Sequence, residues 1–425
     1  MTVTRRRLLQ LSGCSGALLA AGGLDAEAQG PPEDLPAAVR ALQPMTDGVS
    51  PIAVDEHRAR LARAQKLLAE AGLDELVVGP GSSLAYFTGA DWGLSERFLG
   101  MVLGRTGEPV WVTPAFEKDR ALEQIRVGTD VRAWQEDESP YALVARALAD
   151  RGAATGRVGV EETMPFAFSD GIGQALPAVR LASATPVTAG CRMVKDAHEL
   201  ALMRRACAIT LTAYRAVFAS LSEGLSVAQV SGWVAAAHRR LGVRGGALVL
   251  FGPDAAFPHG TAKPRTLKAG DVVLVDGGCR VHGYSSDITR TAVFGAPPTD
   301  RQRRVWDLVR KAQAAAFDAA RPGVECQAID AAARKVIEDG GFGPGYAFLT
   351  HRLGHGIGLD GHEWPYMVRG NRTRRLAGMT FTNEPGIYIS GEMGIRHEDT
   401  VAATEAGCEN LAPKWSGTPE EPAVV

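Results

Sequence analysis

A dominant charge sign is missing from this sequence: 46 lysines and arginines stand against 48 aspartates and glutamates, a formal net charge of -2. That balance removes the electrostatic case for a nucleic-acid or anionic-membrane partner, which would require a positive field. Past the N-terminal segment, no run reaches the roughly eighteen uninterrupted apolar residues of a membrane-spanning helix. Cysteine is sparse as well. Apart from Cys14, the five cysteines Cys191, Cys207, Cys279, Cys326 and Cys408 are scattered and odd in number, which argues against a disulfide framework. What remains is ordinary for a soluble globular protein, with 45% hydrophobic and 22% charged residues. The 425 residues suffice for two domains with sizeable cores.

Residues 1–28 read as a twin-arginine export signal. Thr4-Arg5-Arg6-Arg7-Leu8-Leu9-Gln10 precedes a weakly apolar stretch to Leu24, and Ala26-Glu27-Ala28 has the small-x-small form of a cleavage site. The expected destination is the periplasm or the exterior. Leu11-Ser12-Gly13-Cys14 resembles a lipoprotein box but leaves no normal apolar core before it, so lipid anchoring through Cys14 ranks second. Twin-arginine export carries folded proteins, which agrees with an exported chain that has no disulfide framework. Residues 29–50, rich in Pro, Ala and Gln, read as a flexible tether.

An α/β domain is expected over residues 51–185. Its elements are a helix from Glu56 to Ala71, strands at Glu75–Val78, Leu84–Phe87, Phe98–Leu103, Val110–Thr113 and Arg157–Val160, and helices at Ala115–Gln124 and Pro140–Ala149. A second domain, residues 193–412, repeats one plan twice: two helices, then strands that carry acidic residues. Asp196 is expected to cap the helix that runs to Ser220, a second helix spans Ser226 to Leu241, Asp300 caps a helix to Ala320, and Cys326–Asp339 forms a fourth. The repeat predicts two halves that face each other and pool their carboxylates at the seam.

Asp276, Asp287, His355, Glu384 and Glu398 form the candidate metal set. Asp276 closes the apolar run Val272–Val275, and Asp287 lies in the next extended run, so a hairpin would bring both carboxylates to one face. Glu384 and Glu398 each lie seven residues from Gly391, so a turn there would set them opposite one another. Four carboxylates and one imidazole cannot pack together without cations. Oxygen ligands with a single nitrogen and no thiolate favour manganese, cobalt or zinc. His355 lies between glycines, which lets backbone approach a metal. His259 stands on a loop seventeen residues before Asp276, while His351 and His362 flank His355. Arg396, two residues before Glu398, would neutralise the acidic cluster, hold a substrate acid, or both. His57, His198, His238, His282 and His397 read as ordinary surface or core residues.

The blocks Val275-Asp276-Gly277-Gly278, Ser286-Asp287-Ile288-Thr289-Arg290, Gly354-His355-Gly356-Ile357-Gly358-Leu359-Asp360-Gly361-His362, Thr382-Asn383-Glu384-Pro385-Gly386 and Gly394-Ile395-Arg396-His397-Glu398 resemble those of the pita-bread metallopeptidases, family M24. Within that family they are most similar to aminopeptidase P and prolidase, which cleave the bond before proline. The resemblance implies an α/β N-terminal domain followed by an α+β pita-bread catalytic domain of two pseudo-symmetric helix-helix-β halves. It further implies that Asp276, Asp287, His355, Glu384 and Glu398 bind two divalent ions, usually Mn2+, with Co2+ or Zn2+ as alternatives, and that Asp287 and Glu398 bridge them. By the same resemblance His259 and His362 contact the substrate carbonyl, Glu384 moves a proton, and His351, Tyr388 and Arg396 lie around the proline pocket or behind the ligands. Family members are often dimers or tetramers in which a neighbouring first domain borders the site, and Trp92 or Arg97 would serve there. The sequence departs from the family at Leu376-Ala377-Gly378, which leaves the substrate-carboxylate role of Arg372 or a neighbour unassigned.

The expected activity is that of an exported Xaa-Pro aminopeptidase acting on proline-containing peptides through a hydroxide formed between the two ions. An Xaa-Pro dipeptidase is the alternative on the same site. Creatinase-like amidinohydrolases on this fold work without metal and lack the ligand set. A non-catalytic peptide-binding module on the same fold is the alternative from another class, and metal content separates it from an enzyme.

Overall fold

The computed structural model describes residues 35–413 and 417–421. The export signal and Cys14 lie outside the described residues. Residues 35–50, expected as part of a flexible tether, are instead packed. Leu35, Val39, Leu42, Met45 and Val49 recur every three or four residues and lie against the core of the second domain, where Val39 is fully buried. Met45 N–H donates to Leu241 O over 3.0 Å, and Arg240 donates to Arg40 O over 2.7 Å. Apolar periodicity outweighs the Pro- and Ala-rich composition here.

The first domain holds a six-stranded sheet with β1 (Glu75–Val78), β2 (Gly100–Gly104), β3 (Val110–Pro114), β4 (Asp130–Trp134), β5 (Arg157–Val160) and β6 (Arg180–Ser183) in the order β4-β3-β2-β1-β5-β6. Side chains alternate across it. Leu76 and Val78 join Leu61, Ala64 and Leu68 of the helix Val54–Glu70 on one face. Val77 joins Val144 and Leu148 of the helix Pro140–Asp150 on the other. Residues Leu84–Phe87, expected as a strand, lie within the helix Ser82–Thr88, which Gly89 ends at φ 77°. A four-residue apolar run does not separate a buried strand from a buried helical turn, and the flanking glycines decide it.

In the second domain, the helices Ala197–Phe218 and Val227–Arg240 precede β7 (Arg244–Phe251), β8 (Val272–Val281), β9 (Tyr284–Ser285) and β10 (Ile288–Val293). The helices Asp300–Ala319 and Cys326–Asp339 precede β11 (Gly354–Gly356), β12 (Glu363–Met367), β13 (Thr380–Asn383), β14 (Gly386–Ile389), β15 (Met393–Arg396), β16 (Asp399–Ala403) and β17 (Cys408–Asn410). Asp196 caps its helix through a reciprocal pair with Glu199. Thr299 rather than Asp300 caps the third helix, because its hydroxyl accepts from Gln302 N–H; Asp300 occupies the first turn, where its charge suits the helix dipole. Three sheets result: β10-β8-β7 with β9 paired to β8, β12-β11-β13-β16-β17, and the pair β14-β15. On β8, Val273 and Val275 enter the core of the first half, while Val272 and Leu274 enter the core of the second. Asp276 shares the parity of Val272 and Leu274, so it emerges at the seam. Among the described residues, no helix is long and apolar enough to cross a membrane.

Val39→Ala should lower the unfolding free energy by about 1–3 kcal/mol, because buried methyl groups are lost from a closed core. Denaturant titration checks this, and an unchanged midpoint would return residues 35–50 to the status of a tether.

Candidate metal centre

Asp276 lies within β8, paired on both sides, whereas Asp287, Glu384 and Glu398 lie in breaks between strands. Asp276 pairs in register with Thr289 of β10. Asp287 falls in the break between β9 and β10, where the Thr400 hydroxyl accepts from its N–H over 3.1 Å and donates to its carbonyl over 3.0 Å. Asn383 faces Asp399 in the β13–β16 ladder, and Gly386 faces Arg396 in the β14–β15 ladder. The two ladders share one register, so Glu384 and Glu398 oppose each other in the gap between them. Pro385 helps open that gap, since it has no N–H to continue the ladder. His355 stands on β11, where Gly354 permits a close approach; a Cβ there would lie 1.8 Å from Thr382 O.

The structure brings these five residues together. Ligand atoms of Asp276, Asp287 and Glu398 lie within 4.8 Å of one another, as do those of His355, Glu384 and Glu398, and those of Asp287, His355 and His362. His355 Nε2 is 3.3 Å from Glu384 Oε1 and 3.9 Å from Asp287 Oδ2. His355 Nδ1 lies 3.1 Å from Gly356 O; a carbonyl can only accept, so Nδ1 carries the proton and Nε2 offers its lone pair to the cleft.

Protein groups alone leave this cluster under-compensated. Thr289 Oγ1 is 2.6 Å from both Asp276 Oδ1 and Glu398 Oε2, yet a hydroxyl has one proton to give. Among the described residues, one arginine contacts the acids: Arg396 Nη2 meets Asp276 Oδ2 at 2.6 Å. Burial, then repulsion from neighbouring carboxylates, raises the pKa values of Asp287 and Glu398 well above the usual carboxylate range. Burial drives Glu384 up to about 8 against the pull of Arg396. Asp276 moves the other way, because Arg396 and the Thr289 hydroxyl outweigh its burial. Burial also lowers His355 to about 3, so its ring is neutral and able to ligate near neutral pH. This donor set of hard oxygens and one imidazole, with excess negative charge, fits divalent cations.

Around the acids stand the other expected residues. His351 Nε2 lies 2.7 Å from the Tyr388 hydroxyl, which accepts from Arg396 Nη1 over 2.7 Å. Burial lowers His351 to about 3 and lowers His362 as well. The His362 ring stacks on His355 with centroids 3.5 Å apart. His259 is exposed on its loop. Arg372 is exposed and makes no hydrogen bond among the described residues. Trp92 is buried beneath Arg120 and Arg97 pairs with Glu136, so within one chain neither belongs to this cleft. His57 and His238 bond backbone carbonyls, His198 pairs with Glu56, His397 packs edge-on to Trp306, and His282 forms a turn.

Several supporting residues escaped the sequence reading. Thr289 was detectable, since it lies two residues after Asp287 and so shares its face. The role of Arg290, whose Nη1 holds Glu398 O over 2.7 Å while Nη2 holds Asp399 over 2.6 Å, had no local signal.

Residues 201–405 match metallopeptidase family M24, and residues 60–194 match the creatinase/prolidase N-terminal domain. A Mycobacterium tuberculosis protein named "probable dipeptidase PepE" is 38% identical over 362 residues, covering 83% of this chain and 93% of that protein. The chain belongs to metallopeptidase family M24. The crystal structure of dipeptidase PepE from Mycobacterium ulcerans superposes on this M24 peptidase with a TM-score of 0.80 at 37% identity, covering 86% of this chain and 98% of the other. The Xaa-Pro dipeptidase of Pyrococcus furiosus is 29% identical over 357 residues, covering 83% of this chain and 97% of that enzyme. The fold is thus an α/β creatinase/prolidase-type N-terminal domain with a pita-bread catalytic domain.

The metal-stripped M24 peptidase should lose stability as pH rises from 6.5 to 8. Glu384, Asp287 and Glu398 hold protons in the folded state that the unfolded chain has already released, so stability falls as pH climbs toward their folded pKa values. His351, His355 and His362 act oppositely, but their contribution is complete once pH passes the unfolded value of 6.5. Thermal unfolding should show the fall, a shallower fall in Glu384→Gln, and recovery with Mn2+. A flat apo profile would contradict the crowding of the acids.

Proposed function

We propose that this M24 peptidase is a dinuclear enzyme that hydrolyses the bond before proline at the N-terminus of short peptides. The observation that carries the proposal is the convergence of four under-compensated carboxylates with His355 in a cleft bordered by His259, His351 and His362. Asp276, Asp287, His355, Glu384 and Glu398 would hold two divalent cations, and Mn2+ is the proposed metal. When bound, such ions acidify water and polarise a carbonyl.

The chain's own residues supply the rest. Glu384, 3.3 Å from His355 Nε2 among the proposed ligands, is placed to take a proton from the attacking water and pass it to the leaving proline nitrogen. His362 is neutral, so one ring nitrogen can donate to the oxyanion that develops on the scissile carbonyl, and His259 offers a second donor from across the cleft. The His351–Tyr388–Arg396 chain fixes Asp276 and lines the space beside Glu384, where His351 Nδ1 lies 3.9 Å from Oε2. Proline brings no N–H to the bond it leaves, so its recognition rests on the shape around its ring.

The sequence reading favoured the aminopeptidase form, whereas the dipeptidase names of the relatives favour the second reading, an Xaa-Pro dipeptidase. Ala-Pro and Ala-Pro-Ala separate the two. Cleavage of the tripeptide supports the aminopeptidase, cleavage of the dipeptide alone supports the dipeptidase, and cleavage of neither by Mn2+-loaded protein removes both. Elemental analysis should find two divalent ions per chain, and chelation should abolish turnover. Glu384→Gln should lower kcat by about 10²–10⁴-fold and His362→Ala by about 10²–10³-fold, with folding retained. Full activity in Glu384→Gln would sink the mechanism.

We also propose export by the twin-arginine route, on the support of Arg5, Arg6 and Arg7 ahead of the small-residue site at Ala26-Glu27-Ala28. Replacing the three arginines with lysine should retain the protein in the cytoplasm on cell fractionation, and unchanged export would refute this route.

A further inference from the structure

The loop that presents His362 is held from behind. Residues 357–362, between β11 and β12, belong to no strand, and the His362 ring makes no hydrogen bond among the described residues. Besides the stack of that ring on His355 and backbone bonds such as Ser285 N–H to Gly358 O over 2.8 Å, the segment is held by the acids on either side of His362. Asp360 and Glu363 turn away from the cleft toward the first domain. There Arg192, which ends the helix Thr185–Arg192, donates from Nη2 to Asp360 Oδ2 over 2.5 Å and to Glu363 Oε2 over 2.6 Å. Its Nη1 donates to Ser83 Oγ over 3.1 Å, and the Ser82 hydroxyl bonds the other oxygen of Asp360. Lys195 Nζ meets Glu363 Oε1 at 2.5 Å. Arg192, Lys195 and Glu363 are buried, and Gly358 leaves them room, since a Cβ there would lie 2.6 Å from Glu363 Oε1.

We propose that Arg192 is a positioning residue for His362, so that the first domain sets the geometry of an oxyanion donor in the second. Two cations face two anions, and the anions lie on either side of His362: Asp360 in its loop and Glu363 at the start of β12. An apolar junction could join two domains as well as a charged one does. What the guanidinium adds is direction: one planar fork reaches Asp360, Glu363 and Ser83 together in a single placement of the loop, which a lysine ammonium cannot reproduce.

The proposal rests on the reading that His362 serves Xaa-Pro hydrolysis, and a double-mutant cycle on the full chain tests it. With the proline peptide that the native enzyme cleaves, Arg192→Gln should lower kcat by about 10–100-fold while metal content stays at the native level. In the His362→Ala background, the same change should cost less than about twofold. Amide exchange should quicken over residues 358–363 in Arg192→Gln and stay slow along β8 and β10. If Arg192→Gln does not fold, Asp360→Asn removes one arm of the clasp at a side chain that is 37% exposed, and the cycle is read on that variant. Full multiplicative losses in both backgrounds, or unaltered exchange over the loop, would overturn the proposal. Should the native chain cleave no proline peptide, the functional reading fails, while the exchange measurement still decides whether Arg192 holds the loop.

Discussion

Like charges gathered in a low-dielectric cleft repel one another and lose water at the same time, and the second domain is organised around that cost. Asp276 comes from β8 and Asp287, Glu384 and Glu398 from breaks between strands, yet they meet with Arg396 against Asp276, the Thr289 proton offered to two oxygens and the Thr382 hydroxyl on Glu384. A fold spends stability on such a cluster only if something outside the polypeptide cancels it. The imidazole of His355 strengthens this reading. Burial keeps it neutral, and its Nδ1 is committed to a carbonyl, so what it presents to the acids is a lone pair. A lone pair beside carboxylates makes the repulsion worse unless a cation lies between them.

The route by which the acids converge follows from strand geometry. Asp276 reaches the seam because β8 alternates its side chains between the cores of the two halves. Glu384 and Glu398 reach it because two ladders in one register stop short of each other, with a proline at the stop. Backbone groups freed by these interruptions are taken up by side chains. Arg290 holds Glu398 O, and Thr400 clamps Asp287 from both sides. The groups that shape the site are thus the same groups that repair the sheet around it.

What could be read in advance was whatever depends on residue type and short spacing. The candidate ligand set was visible because carboxylates at strand ends carry chemistry that packing does not ask for, and the symmetric distance of Glu384 and Glu398 from Gly391 reported the β14–β15 hairpin. Long helices were visible through periodicity and the reciprocal cap at Asp196. Short or composite signals misled. Leu84–Phe87 has too few residues to show a period, and residues 35–50 hid five core-facing side chains within a tether-like composition. Arg192 lay beyond reach altogether, since its partners Asp360 and Glu363 are 168 and 171 residues away and only the packed domains bring them together.

Two charged clusters now flank the loop between β11 and β12, and they differ in kind. The one in the cleft carries surplus negative charge and suits divalent cations from solution. The one at the domain junction balances two cations against two anions and needs nothing from solution. A self-neutral cluster contributes little net stability relative to an apolar one, but it penalises displacement steeply, because any shift of the loop leaves a buried charge without its partner. Placed beside a cleft whose own charge would vary with metal and proton content, it is the clasp from which the proposed positioning of His362 is argued. The first domain is then part of the active site without contributing a side chain to it.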